Sequence, residues 1–277
     1  MCVDMNACIV EATLAQGRAV WGITIVDNKL FILRDRYGGD SYIDAYDAET
    51  LTRTQSARHF PRFRGATDIT GSTRDTCLYV GDEVEKCLFR IGLVEGCDKW
   101  SLENHKPWCV SMTFRGNVLV TLYDVDAIME FRPDGRCVRQ MSLELAGITH
   151  AQQTLHPSAN QLVVCHATRR VSLVDSDGTL IHTHGGVSPS TGQPLHGPCY
   201  LAVDDHNFIY VADVLHRRVA VHCAALDYVR EVVRHTQLKW WPLRLFLDED
   251  RRRLYVADND FDGQKYTAGR VVIFSLR

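Results

Sequence analysis

A repeat of about 45 residues runs along the chain and constrains the fold more than any other feature. Six short apolar runs, rich in β-branched or aromatic residues, are centred at positions 31, 79, 119, 163, 210 and 255. Successive centres are 48, 40, 44, 47 and 45 residues apart. Such runs, bounded by turn formers, are typical of buried strands, and a period of this length is typical of propellers.

Each repeat is predicted to contain four antiparallel strands. An inner strand precedes each centre, at 21–25, 67–70, 108–112, 151–155, 199–203 and 243–247. A third strand with alternating apolar positions follows, as at 170–174, 218–221 and 270–274. The sequence therefore predicts an all-β, six-bladed propeller that fills 1–277 as one domain. The approximate blades are 20–60, 65–105, 107–147, 148–186, 197–236 and 240–277.

The sixth repeat stops at Arg277, after its third strand. Residues 7–12 precede the first inner strand, and their pairing with 271–274 would close the ring and remove an exposed sheet edge. The sequence therefore predicts a closing N-terminal strand. The alternative is a frayed tail.

The strongest repeats resemble the NHL pattern. Gly-Pro-Cys-Tyr-Leu-Ala-Val-Asp at 197–204 is followed by Ile-Tyr-Val-Ala-Asp at 209–213, and Leu-Tyr-Val-Ala-Asp returns at 254–258. The chain resembles the C-terminal NHL propellers of tripartite-motif proteins and related invertebrate NHL-repeat proteins. This resemblance implies protein recruitment, as the substrate-recruiting part of a larger ubiquitin-ligase-like protein, and in some members binding of single-stranded RNA. No Trp-Asp dipeptide of the WD40 kind occurs.

Composition narrows the partners and the compartment. A formal net charge of -3 gives no general attraction to nucleic acid or to anionic membranes. The sequence has no apolar run of membrane-spanning length, no signal-peptide pattern and no C-x-x-C pair among its ten cysteines. We predict a cytoplasmic, monomeric protein with reduced thiols and no DNA or membrane partner.

Two sets of loops are predicted to share one face of the propeller. Loops that lead into the inner strands are basic or rich in histidine, and loops between second and third strands are acidic. Aligned inner strands place one column of loop residues together: Arg18, Arg64, His105, Ile148, His196 and Trp240. Such a column could receive an acidic peptide or a phosphate group, although a solvated loop column is the alternative.

The candidate binding face comprises this column, without Ile148, and its neighbours: Arg18, Arg64, His105, Lys106, Trp108, His150, His196, Tyr200, Trp240 and Arg244. Large apolar side chains such as Trp21 and Trp108 are interpreted first as packing between blades. Recurrent acids and arginines are interpreted as structural hydrogen-bonding groups: Asp82, Asp213, Asp258, Arg170, Arg218 and Arg270.

No catalytic motif, cofactor fingerprint or metal pattern stands out, so the chain is predicted not to be an enzyme and to need no cofactor or metal. The leading function is recognition of a protein or peptide through the loop face and channel mouth. Single-stranded RNA binding through Arg62, Arg64 and Lys106 is one alternative. A metal-dependent lyase or hydrolase, with His105, His150 and His196 around an ion, is the other.

Overall fold

The computed structural model describes residues 8–34, 40–54, 60–143, 148–153, 161–166, 169–185 and 194–276. These residues form six antiparallel sheets and one short 3-10 helix at His235–Gln237. Five sheets have four strands and one has three, which confirms the predicted all-β, six-bladed propeller.

The strand bounds follow the repeat. Blade 1 contains β2 (Val20–Val26), β3 (Lys29–Arg34) and β4 (Tyr42–Asp47). Blade 2 contains β5 (Ala66–Ser72), β6 (Cys77–Asp82), β7 (Cys87–Gly92) and β8 (Cys97–Ser101). Blade 3 contains β9 (Pro107–Met112), β10 (Val118–Leu122), β11 (Ala127–Phe131) and β12 (Cys137–Ser142).

The other three blades repeat this order. Blade 4 contains β13 (Ile148–Gln153), β14 (Leu162–His166), β15 (Arg170–Val174) and β16 (Leu180–Gly185). Blade 5 contains β17 (Pro198–Val203), β18 (Ile209–Asp213), β19 (Arg218–His222) and β20 (Tyr228–Val233). Blade 6 contains β21 (Trp241–Asp248), β22 (Arg253–Phe261), β23 (Tyr266–Ser275) and the N-terminal strand β1 (Ile9–Gly17).

The predicted closing strand is confirmed, although it is longer than 7–12. Strand β1 pairs antiparallel with β23, from Ile9 opposite Ser275 to Gly17 opposite Gly269. A side chain of blade 6 also bonds to the first strand of blade 1. The buried Asn259 amide accepts a hydrogen bond from Val20 N and donates one to Val20 O, both at 2.8 Å. Ring closure therefore joins residues from opposite ends of the chain.

Blade 1 departs from the predicted four strands. In the described residues its outer strand is reduced to a bridge between Tyr46 and Arg53, supported by a hydrogen bond from Thr54 N to Ala45 O of 2.8 Å. Residues 55–59 lie outside the described part of the chain. The apolar pattern of blade 1 predicts a fourth strand, and within the described residues only this bridge represents it.

Apolar side chains of adjacent blades fill the layers between sheets. Between blades 4 and 5, for example, Val163 and Cys165 pack in one cluster with Leu201 and Val211. Because side chains alternate across a strand, each sheet presents an apolar face to both neighbours. This explains why the second strands are buried along their whole length, as in β6, β10 and β18.

Candidate functional site

The inner strand of every blade has a β-bulge at the same register. The bulged residues are Trp21, Thr67, Trp108, Thr149, Cys199 and Leu243. The residues that follow them are Gly22, Asp68, Cys109, His150, Tyr200 and Arg244. A bulge bends its strand and re-aims the neighbouring side chains, and these six bulges lie at the same level around the ring.

Arg244 lies at the centre of the propeller, and its side chain is 2% exposed. Its Nε donates to Trp21 O at 2.9 Å, Nη1 donates to Leu243 O at 3.1 Å, and Nη2 donates to Thr67 O at 3.2 Å. The guanidinium carbon is also 5.5 Å from the Trp21 ring centroid and 5.0 Å from that of Tyr200. One arginine therefore links blades 1, 2, 5 and 6.

Asp68 supplies the opposite charge and is fully buried. Its Oδ2 accepts from Val110 N and from Tyr200 Oη, both at 3.0 Å, and its Oδ1 lies 3.6 Å from Arg244 Nε. Burial raises the pKa of Asp68 to about 6, while the charge of Arg244 and these hydrogen bonds act to lower it. The carboxyl is therefore ionised at neutral pH and compensates an arginine that is always charged.

The close approach of blades 1 and 2 explains Gly22. A Cβ at this position would lie 2.9 Å from Asp68 Oδ1 and 2.8 Å from Ile69 N. Any side chain at position 22 would therefore displace the backbone of blade 2 or the Asp68 carboxylate.

We name Asp68, Tyr200 and Arg244 the central network.

The raised pKa of Asp68 makes stability depend on pH. The carboxyl titrates near 3.8 in the unfolded chain and near pH 6 in the folded protein. The folded protein binds the Asp68 proton more tightly than the unfolded chain does. The resulting stabilisation is fully present below about pH 4 and is lost as the pH rises through about 6. The loss is about 3 kcal/mol, at about 1.36 kcal/mol per pKa unit.

We expect Asp68→Asn to remove this decline, as measured by urea unfolding between about pH 4 and pH 8. The free energy of unfolding of the wild type should fall relative to that of the variant as the pH rises. Asp250 is exposed, so Asp250→Asn is the matched control and should leave the pH dependence unchanged. Parallel curves for the wild type and Asp68→Asn would contradict the assignment.

The inner strands enclose an open pocket of about 260 Å³ along the channel. Its lining is mixed, with apolar residues such as Ile23 and Val110 and polar residues such as Thr70 and Ser111. Tyr200, which also lines this pocket, and Arg244 were placed on the binding face by the sequence but are buried, at 6% and 1% exposure. Their polar groups bond within the protein because blades 2, 5 and 6 converge there.

The loops that enter the inner strands and the loops between second and third strands define what we call the upper face. A chain of six neighbouring rings extends across its centre, with successive centroids 5.0–6.3 Å apart. In spatial order these rings belong to Trp241, Phe261, Tyr266, Trp21, Trp108 and Tyr123. We name this set the aromatic strip.

The aromatic strip is buried at Trp21, half-buried along most of its length and exposed at Tyr123. Trp21 is 2% exposed and meets Trp108 of blade 3 over the channel mouth, with centroids 6.3 Å apart. Tyr123 is 56% exposed at one end. Further exposed apolar side chains lie in the upper-face loops, with Val125 in the loop of Tyr123 and Val84 and Leu215 in two others. Trp21 thus packs as the sequence indicated, while Tyr123 presents apolar surface to solvent.

Trp240 lies beside the aromatic strip with two cations against its ring. Lys239 Nζ is 4.2 Å from the Trp240 centroid, and the guanidinium carbon of Arg270 is 5.8 Å away. Asp258 fixes this loop, because Oδ2 accepts from Lys239 N at 2.9 Å and Oδ1 from Trp240 N at 2.7 Å. The loop is therefore held in one conformation beside the strip.

Three basic side chains of the upper face lie close to carboxylates. Arg64 lies 3.6 Å from Glu85, and His105 lies 3.5 Å from Asp124. Arg62, similarly, lies 3.6 Å from Asp40. The face therefore has mixed charge, as its loop sequences predict.

The remaining predicted residues take varied positions. Lys106 N donates to Asp124 Oδ1 at 3.1 Å, and Arg18 O accepts from Arg34 Nη1 at 2.8 Å. The His196 ring lies 5.2 Å from that of His216 on the same face. These residues belong to the loops of the upper face.

Ile148 does not belong to the column in which the sequence alignment placed it. It pairs with His166 as Pro198 pairs with Asp213, so it is the first inner-strand residue of blade 4. The inner strand of blade 4 starts earlier than predicted, and 144–147 lie outside the described residues. The backbone of His150 pairs with that of Cys165, and the His150 side chain lies outside the described part of the chain.

The recurrent aspartates hold the upper-face loops. Asp82 Oδ2 accepts from Arg64 N and Gly65 N at 3.0 and 3.1 Å. Asp213 Oδ1 accepts from His196 N and Gly197 N, both at 2.9 Å. Together with the same contact at Asp258, these bonds orient the loops that carry the candidate residues.

The recurrent arginines are less regular than the aspartates. Arg218 and Arg270 donate to Asp213 and Asp258 at 3.1 and 2.8 Å. Arg170 pairs in register with His166. Blade 4 therefore has a histidine at the position where blades 5 and 6 have the aspartate that pairs with the arginine. Blade 1 reverses the charges, since Arg34 occupies the aspartate position and donates to Asp44 at 2.8 Å.

Comparison with known proteins shows the fold. The sequence matches no protein-family model and no curated protein sequence. A candidate gluconolactonase has a TM-score of 0.71 and 14% identity over 99% of this chain and 95% of that one. The virginiamycin B lyase of Staphylococcus aureus has a TM-score of 0.65 and 13% identity over 95% and 99%. The WD40 propeller domain of Doa1 has a TM-score of 0.63 and 13% identity over 98% and 97%.

These neighbours correct the prediction that the chain is not an enzyme. That prediction is wrong, because structures with this fold include a lyase and a candidate gluconolactonase as well as a WD40 domain. At this identity the fold does not settle enzymatic status. The neighbours share the propeller and do not single out the NHL domains of tripartite-motif proteins. No helix in the described part of the chain has the length and apolar character of a membrane span.

Proposed function

We propose that the upper face recognises an extended peptide segment of a partner protein. The observation that carries the proposal is the aromatic strip, which crosses the channel mouth and ends in the exposed ring of Tyr123. Tyr and Trp are enriched among the residues that dominate the binding energy of protein interfaces. The exposed side chains of Val84, Val125 and Leu215 add apolar contacts around the strip.

The charge pattern favours a peptide over RNA. Phosphate-tracking proteins need basic groups that are available to many phosphates. Arg62, Arg64 and His105, by contrast, each face a carboxylate at 3.5–3.6 Å. A peptide with both apolar and charged side chains fits a face that presents aromatic rings and ion pairs together.

The wider context of this function is part of the same proposal. The resemblance of 197–204 and 254–258 to NHL repeats supports a recruiting module of a larger ubiquitin-ligase-like protein, and we propose that this module is monomeric and cytoplasmic. The partner would then meet the face that the three recurrent aspartates hold in place.

A peptide-display library selected on the full chain tests the proposal. For the enriched peptides, Tyr123→Ser should weaken binding about 30-fold, which corresponds to about 2 kcal/mol for loss of an interface anchor. Phe114 is comparably exposed, at 51%, in the turn between β9 and β10 on the opposite face. Phe114→Ser is therefore the matched control and should leave the dissociation constant unchanged.

Three results would contradict the proposal. They are failure to enrich any peptide, equal affinity of wild type and Tyr123→Ser, and loss of affinity in Phe114→Ser alone. A random single-stranded RNA pool should be offered to the same protein in parallel. Retention of RNA, with affinity that falls steeply between about 50 and 200 mM salt, would support the RNA function instead.

A further inference from the structure

Two histidines meet at the boundary between blades 4 and 5, away from the upper-face loops. His184 belongs to the outer strand β16, and His222 ends the third strand β19. Their ring centroids are 4.9 Å apart at an interplanar angle of 62°. His222 is 1% exposed, so its imidazole lies in the protein interior.

Three of the four ring nitrogens of this pair are buried and have no hydrogen-bond partner among the described residues. They are Nδ1 and Nε2 of His222 and Nε2 of His184. Buried polar atoms almost always have a partner, and a buried unmatched donor or acceptor costs free energy. The unpartnered ring nitrogens of this pair therefore need a binding partner that the described protein atoms do not provide.

The burial of these nitrogens suits a metal ion. A neutral imidazole has a free lone pair on one ring nitrogen, which is the form that binds metal ions. Nitrogens that have no hydrogen-bond partner among the described residues can offer that lone pair to an ion.

The hairpin that follows His222 contains two more potential ligands. Cys223 Sγ lies 3.8 Å from Asp227 Oδ2, and Cys223 N donates to Asp227 O at 2.9 Å. Asp227 lies close enough to His184 for its charge to act on that imidazole. Cys223 is half-buried and Asp227 is exposed. These four side chains are not among the described residues whose ligand atoms already lie within 4.8 Å of one another, so the ion would have to draw them together.

We propose that His184 and His222, completed by Cys223 and Asp227, bind one zinc ion at the boundary of blades 4 and 5. Zinc takes nitrogen, sulfur and oxygen ligands in tetrahedral geometry. With Zn–N distances of about 2.0–2.1 Å, the centroids of two such imidazoles lie roughly 5 Å apart. The observed separation of 4.9 Å matches this geometry. The ion would fasten two blades, a role independent of peptide recognition on the upper face.

A competing group of ligands provides the matched control. Asp204, Asp205 and His206 bring three ligand atoms within 4.8 Å of one another in the loop between β17 and β18. His206 is 76% exposed, and these residues form an open acidic loop. His206→Ala removes a histidine from that loop and leaves the proposed zinc site intact.

The test uses the full chain after chelation and dialysis, with Zn²⁺ titrated calorimetrically and Co²⁺ followed by absorption. The wild type should bind one Zn²⁺ and give the intense bands of tetrahedral Co²⁺ with a thiolate ligand. His222→Phe should weaken binding at least about 100-fold, since loss of a ligand exceeds the 10–100-fold cost typical of outer-shell changes. His206→Ala should bind as the wild type does.

Stability gives a second readout. Zinc at about 100 times its dissociation constant should raise the melting temperature of the wild type by about 5–10 °C and leave that of His222→Phe unchanged. If His222→Phe does not fold, His184→Gln at the half-buried position replaces it in the same comparison. Absence of zinc binding, octahedral Co²⁺ spectra, or loss of binding in His206→Ala alone would overturn the proposal.

Discussion

Arg244→Met is expected to lower the free energy of unfolding by about 3–5 kcal/mol, the usual cost of removing one partner from a buried ion pair. The substitution leaves the Asp68 carboxylate buried without its counter-charge. It also removes the donor to Trp21 O and Thr67 O, so two buried carbonyls lose a hydrogen bond. Four blades meet at this side chain, which explains why the effect should be global.

Chemical denaturation of the wild type, both single variants and the double variant Asp68→Asn/Arg244→Met measures this effect. We expect the double variant to recover at least about 2 kcal/mol relative to the sum of the singles, because the buried charges are coupled. Arg132 is 55% exposed, so Arg132→Met is the control and should change stability by less than about 0.5 kcal/mol. An Arg244→Met effect as small as that of the control would refute the central network.

Removal of residues 1–17 is expected to lower the melting temperature by at least about 10 °C and to cause self-association. The deletion leaves the edge of β23 unpaired along the register from Gly269 to Ser275. It also removes Leu14, which is 6% exposed and packs with Val271 and Ile273 in the cluster between blades 6 and 1. An open apolar edge is a template for pairing with another chain.

A synthetic peptide of residues 8–17 should restore the melting temperature and the monomeric elution volume of the truncated protein. A peptide of the same composition in scrambled order is the control, because it cannot reproduce the alternation that faces the core. Thermal scans and size-exclusion chromatography measure both effects. An unchanged melting temperature after truncation would show that β1 is a peripheral strand.

Most of the fold could be predicted because the strand signal is local. The apolar runs around residues 79, 163 and 210 are continuous and end in turns within a few residues, so each blade can be recognised from its own segment of sequence. The closing strand was also predictable, since the sixth repeat lacks one strand and an unpaired edge is unfavourable. In the described residues of blade 1 the outer strand is represented by a single bridge, and this was not predictable because the apolar pattern does not show how many strands a blade completes.

The candidate site was predicted less completely. The loops that carry Arg64, His105 and Trp240 were placed on one face, since the repeat gives their position relative to each strand. Asp68 was missed because its role depends on a bulge, and a bulge changes register without changing composition. Aligning the residue after each bulge, from Gly22 to Arg244, would have found the polar column.

The sequence by itself determined the number of blades, their order and the side chains that point between sheets, because these follow from a period repeated along the chain. Only the tertiary structure decided which distant residues meet. Asp68 and Tyr200 are 132 positions apart, and Asn259 bonds Val20 across 239 positions. The pairing of His184 with His222 likewise depends on how blades 4 and 5 pack. Such contacts arise when the ring closes, and ring closure is a property of all six sheets together.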